Sequence, residues 1–137
     1  MPYVTMRLVE ILKRMGDLLA PYDPNRSARL IQDADNILAR PELAATILGS
    51  NNYWGGAGSH LDYVIVGDLG NPHSIFRTTP SRPEPNLVWA QLLLDLASEI
   101  ELQKITNIDY ATTSRIIQSS IKACHKQIDM DSKDSVS

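Results

Sequence analysis

At 137 residues, with 43% apolar and 21% charged residues and a formal net charge of -3, the chain is sized for one ordinary domain around a single core. Its mild acidity argues against nonspecific nucleic-acid binding, which needs clustered Lys and Arg to displace counterions, and favours a partner surface that is basic or neutral. No apolar stretch approaches the roughly 20 residues of a membrane helix, Met1 to Met15 is unlike a signal peptide, and the lone Cys124 excludes an internal disulfide or multi-cysteine zinc site, so a reducing cytoplasm is the expected compartment.

From Thr5 to Leu19, the residues Leu8, Ile11, Leu12, Met15, Leu18 and Leu19 recur at three-to-four spacing and predict a first helix. Pro21 to Pro24 breaks it. Asp23 before Pro24 is a cap and first-turn pair for a second helix, with Ala28, Ile31, Ala34 and Leu38 as its expected apolar stripe. Pro41 ends that helix and opens a shorter one, Glu42 to Leu48, closed by Gly49. Leu61 to Val66 reads equally as a short helix or a strand. Gly67 to Asn86 carries two glycines and four prolines, which forbids a regular helix, although a hairpin pairing the segments around Ile65 and Ile75 would fit. Leu87 to Gln103 is apolar most of the way round and predicts a helix surrounded by others. Asp109 caps a last helix, Tyr110 to Ile128, with Ile116, Ile117, Ile121 and Cys124 inward. The expected fold is therefore mainly α: one compact domain, residues 1–128, of about five helices with room for one short β-hairpin, and a flexible polar tail, 129–137.

The most distinctive run is Asn51 to Asp62, with Gly55, Gly56 and Gly58 beside Tyr53 and Trp54. Consecutive glycines suit a phosphate cradle, because their N–H groups converge on an anion. No Lys-Ser or Lys-Thr pair follows, however, no clear strand precedes, and Asp62 would repel a phosphate. A structural turn explains more. Ser59 and Asp62 fit a capping box, in which Ser59 accepts an N–H from the first turn and the acidic side chain returns to the Ser59 N–H. Gly55, Gly56 and Gly58 then allow positive φ or close approach, and the two aromatics pack the loop on the core.

The order Gly55, Gly56, Gly58, Ser59 and Asp62, with Val64 to Val66 and an Asn86-led leucine helix behind it, resembles an uncharacterised family of small bacterial proteins with a Gly-Gly-Met-Gly-Ser-Leu-Asn-Asp-like signature. The resemblance spans about residues 25 to 103 by motif order and departs at Ala57 and His60-Leu61. Such proteins look like those encoded beside bacterial toxins, which implies an immunity role.

Candidate chemistry is sparse. His60, Asp62, Asp68 and His73 make a metal site only if the loop folds back, and no helical His pairing supports one. Cys124 and His125 are adjacent on a helix and point about 100° apart, Ser59 lacks a nucleophile-elbow context, and Asp95, Glu99 and Glu101 read as a solvated face paired to Lys104. Long loops on helical bodies carry recognition residues, and His73, Phe76, Arg77, Arg82 and Glu84 supply an aromatic, cations and an anion. The expectation is a non-catalytic, cofactor-free and metal-free immunity protein. It binds a cognate toxin through Tyr53, Trp54, Asp62 and those five loop residues, with no nucleic acid or membrane partner. The alternatives are a small enzyme or metal- or ligand-binding protein sited at His60, Asp62 and His73, and an adaptor or homo-oligomer subunit.

Overall fold

The computed structural model describes residues 3–55, 58–65 and 83–136. The domain is mainly helical. In chain order it comprises α1 (Tyr3–Leu19), α2 (Pro24–Ala39), a 3-10 turn (Pro41–Leu43) running into α3 (Ala44–Leu48), α4 (Asn51–Trp54), α5 (Pro83–Gln103) and α6 (Tyr110–Val136). No strand occurs among the described residues. The first arm of the expected hairpin, Leu61 to Ile65, is a turn followed by an irregular segment, and its second arm lies outside the described residues.

The helix ends follow from local chemistry. Asp23 Oδ1 accepts the Arg26 N–H at 3.1 Å with Pro24 at the first helical position, so the first turn of α2 is capped where the proline lacks a donor. Asp109 does the same for α6, accepting the Thr112 N–H at 3.1 Å. The C-terminus of α5 closes on Lys104 at φ 52°. Its N–H reaches Glu101 O and that of Ile105 reaches Ile100 O, a Schellman pattern in which a lysine occupies the left-handed position usually given to glycine.

Packing runs in the order α2, α1, α5, α6: α1 lies against both α2 and α5, and α5 against both α1 and α6. Leu8, Ile11, Leu12, Met15 and Leu19 of α1 are buried against Leu30, Ala34 and Ile37 of α2 and Trp89, Leu93, Leu96 and Ile100 of α5. Burying each large side chain contributes about 1.5–3 kcal/mol. The central position expected for α5 is therefore shared with α1.

Four helix readings change, the first being that α5 begins at Pro83 and not at Leu87, its two prolines falling in the first turn, where no intrahelical N–H is needed. The buried face of α2 is Ser27, Leu30, Ala34 and Ile37; Ala28 and Leu38 are exposed and Ile31 is half-buried. Its first turn enters the interior with polar residues, which hides the true stripe from a hydrophobicity pattern. Ser27 is accommodated because its hydroxyl donates to Gly16 O at 2.6 Å. A Cβ at Gly16 would stand 2.7 Å from Ile31 Cγ1, so the glycine inside α1 marks the close approach of α2. On α6, Ile117 and Cys124 are buried but Ile116 is 46% exposed. The α6 backbone also continues past Ile128 to Val136, because residues 129–136 are polar yet contain no glycine or proline to stop a helix.

Candidate functional site

The glycine run terminates one helix and starts none. Asn51 to Trp54 form the single turn α4, and the chain then curls back over its C-terminal carbonyls: Gly55 N–H donates to Asn51 O at 3.0 Å, His60 N–H to Asn52 O at 2.8 Å and Leu61 N–H to Tyr53 O at 2.9 Å. Those N–H groups are aimed at peptide oxygens, which a phosphate cradle would have had to leave free. Ser59 Oγ donates to Gly55 O at 2.6 Å and accepts the Asp62 N–H at 3.2 Å. The serine half of the predicted capping box is therefore formed, around a turn instead of a helix. Asp62 is exposed. Gly58 has φ +88°, the one described position in the run that demands left-handed backbone.

The turn sets an aromatic and polar cluster against α2 and α5. Tyr53 is buried and its hydroxyl donates to Asp33 Oδ2 at 2.6 Å; half-buried Trp54 donates from Nε1 to Leu48 O at 2.6 Å. The His60 ring, 4% exposed, meets Tyr53 edge-on at 4.6 Å and Trp89 at 6.0 Å, while Tyr63 meets Trp89 at 5.6 Å, geometries worth about 0.5–1.5 kcal/mol each beyond area burial. The buried Arg26 joins these groups. Its Nη1 donates to His60 Nδ1 at 2.8 Å, its Nη2 to Gly58 O at 3.4 Å, and its guanidinium carbon stands 4.2 Å from the Tyr63 ring centre. Asp23 Oδ2 is 3.6 Å from Nε, near enough for ion pairing and beyond a hydrogen bond.

The electrostatics follow from burial. An arginine always donates, so His60 Nδ1 is an acceptor and the imidazole is neutral with its proton on Nε2. Burial and then the Arg26 charge push His60 down to about 3. Burial, together with the hydrogen bond to Asp33, drives Tyr53 far above the phenol range, and burial with the Asp23 charge pushes Tyr63 up to about 12. Burial raises the Asp33 carboxyl, opposed by the Tyr53 hydrogen bond and by Arg29.

Tyr53 and Trp54 are brought together with Gly55, Gly58 and Ser59, but Tyr53 faces the interior and presents no recognition surface. Glu84 is exposed at the start of α5. Gly56, His73, Phe76, Arg77 and Arg82 lie outside the described residues, so the alternative site is represented by a buried His60 and an exposed Asp62 alone. Among the described residues no three His, Cys, Asp or Glu side chains are grouped to hold a metal. Cys124 is buried, with its thiol raised by burial, while His125 is exposed. Of the expected acidic face, Glu99 lies 3.7 Å from Arg7 across the α1–α5 seam instead of pairing with Lys104.

Sequence reasoning missed Arg26, Arg29, Asp33, Asn52 and Asn86. Their signal was positional: Arg26, Arg29 and Asp33 share a helix face at spacings of three and four. Asn86 receives the Ile65 N–H at 2.7 Å and donates to Ile65 O at 3.0 Å, fixing the chain where it leaves the turn segment. Two cavities flank the cluster, each about 130 Å³. One is lined by Arg26, Arg29, Gln32, Asp33, Asn52, Gly58 and His60. The other is more apolar and lies between Tyr63, Trp89, Leu93 and Cys124, and Trp89 Nε1 is buried beside it without a hydrogen-bond partner among the described residues. Compared with protein-family models, curated proteins and solved structures, the chain matches none.

Proposed function

We propose that this protein is a non-catalytic protein-binding module of the immunity type, which neutralises a cognate bacterial toxin by direct binding. The observation that carries the reading is the structural use of the turn's chemically capable groups. His60 is buried, neutral and held by Arg26, the Tyr53 hydroxyl is bonded to Asp33, and the Ser59 hydroxyl is bonded on both sides. A turn fixed in this way holds Asp62 on a defined surface at low entropic cost on binding, with Glu84 exposed at the head of α5.

The test is co-expression with the toxic product of the adjacent reading frame in a bacterial host. Growth rescue, recovery of a one-to-one complex, and loss of both in the double variant Asp62→Lys, Glu84→Lys are expected. A folded protein that neither rescues growth nor co-purifies with that product overturns the reading.

A further inference from the structure

Arg26 is an unusual cation for a buried site. It is 9% exposed, and a guanidinium carries five donors that burial removes from water. Its two hydrogen-bonded partners, His60 Nδ1 and Gly58 O, are both neutral, and its Nε–H, buried, has no hydrogen-bond partner among the described residues. Its ion-pair partner among the described residues, Asp23, stands 3.6 Å from Nε and spends its Oδ1 on the helix cap. The polar cavity opens beside this incompletely paired charge, and its walls bring a second guanidinium, that of Arg29, with the side chains of Gln32 and Asn52.

We propose that this cavity binds a carboxylate group. The planar fork of a guanidinium matches two coplanar oxygens, and a carboxylate adds a closer anionic partner than Asp23 provides to Arg26. Arg29, exposed on the same face of α2, covers the group from the solvent side, and the Gln32 and Asn52 amides offer neutral donors. Asp33, bonded to the Tyr53 hydroxyl, lines the same cavity and sets the charge limit: it tolerates a single negative charge near two arginines and disfavours the dianionic form of phosphate. A cavity of about 130 Å³ holds the carboxylate and its first carbons and leaves the remainder outside. The carboxylate thus belongs either to a free small acid or to an acidic side chain of a bound protein. The inference does not rest on the immunity reading, and its outcome is independent of toxin rescue.

The experiment is an NMR titration of the full-length protein, following the Arg26 Nε–H and the His60 ring, with sodium acetate and, separately, an end-blocked tripeptide centred on glutamate. Sodium chloride at matched ionic strength is the control. Acetate is expected to give saturable shifts at Arg26 with a dissociation constant on the order of millimolar, and Arg29→Gln, a surface change that keeps the fold, to weaken it roughly fivefold. Tighter binding of the peptide assigns the site to an acidic side chain; saturation by acetate with exclusion of the peptide assigns it to a free acid. Shifts that track chloride without saturating, an unchanged constant in Arg29→Gln, or phosphate binding more tightly than acetate at neutral pH would each overturn the proposal.

Discussion

The α1–α5 seam and the junction between α2 and the glycine turn are both buried, yet they are built on opposite principles. The seam is apolar in its interior: Leu8, Leu12, Met15, Leu96 and Ile100 are at most 1% exposed and exchange little more than dispersion and the hydrophobic effect, with the partly exposed Arg7–Glu99 pair at its edge. The junction buries a guanidinium, an imidazole and a phenol, each directed to a named atom. Apolar packing is non-directional and tolerant in chemistry but sensitive to volume, whereas a polar cluster is sensitive to protonation and to the loss of single partners. The difference separates what holds the domain together from what shapes its surface.

Breaking the seam has the largest expected effect. Leu96→Ala removes a fully buried side chain from α5 where α1 and α6 also lie close, and a cost of about 2–5 kcal/mol is expected, depending on how far the neighbours collapse. Urea denaturation followed by circular dichroism checks this. A cost below about 1 kcal/mol would mean that the seam relaxes around the cavity, contrary to the density of a native core.

The junction should respond to acid where the seam does not. With His60 near 3 when folded and at its ordinary 6.5 when unfolded, the unfolded chain binds the extra proton between these values. Stability therefore falls as pH drops from about 6.5 towards 3, by up to roughly 1.4 kcal/mol per pH unit. The raised Asp33 carboxyl acts in the opposite sense: the folded state binds its proton first, so acidification below the raised value favours folding and softens the loss. Denaturation midpoints at neutral pH and at about pH 4.5 should differ less in His60→Gln than in the parent chain. Equal acid sensitivity in both would remove His60 as the source.

These two regions also divide what was legible in the sequence. The seam was readable because Leu8, Ile11, Leu12 and Met15 repeat at the helical period, and the capping residues Asp23 and Asp109 announce themselves beside Pro24 and before Tyr110. The face of α2 was misread by about one position, since Ser27 occupies an inward site that only its bond to Gly16 O explains. At the junction, the glycines suggest a turn but carry no information about its direction. That Gly55, His60 and Leu61 return their N–H groups to the carbonyls of α4 is a tertiary fact with no local periodicity. Arg26 was hidden for the same reason: a polar residue in a helix's first turn ordinarily faces water, and its burial depends on His60, 34 positions away.

A smaller test concerns the end of the seam. Lys104 adopts φ 52°, which costs a side-chain-bearing residue about 1 kcal/mol relative to glycine. Lys104→Gly should therefore raise stability by up to about 1 kcal/mol while preserving the contact of Ile100 and Ile105 with the core. A thermal melt reads this as an increase of a few degrees, and a decrease would show that the lysine side chain contributes more than its backbone geometry costs.

The smallest expected change, that of Asp62→Ala, discriminates most when it is set beside Ser59→Ala, because the capping-box reading assigns Ser59 and Asp62 equal and reciprocal roles. The structure divides them. Ser59 is 2% exposed and its hydroxyl both donates to Gly55 O and accepts from the Asp62 backbone, so Ser59→Ala leaves a part-buried carbonyl and an amide short of one partner each and should cost about 1–2 kcal/mol. The Asp62 side chain is exposed, and its contribution to the turn is made by the main-chain N–H, which Asp62→Ala retains; the change should fall within about 0.5 kcal/mol of the parent chain. Paired denaturation curves of the two variants compare them directly. Equal destabilisation would restore the reciprocal box and place the Asp62 carboxylate inside the turn. The expected inequality leaves that carboxylate free of any structural duty, as a residue offered to a partner must be.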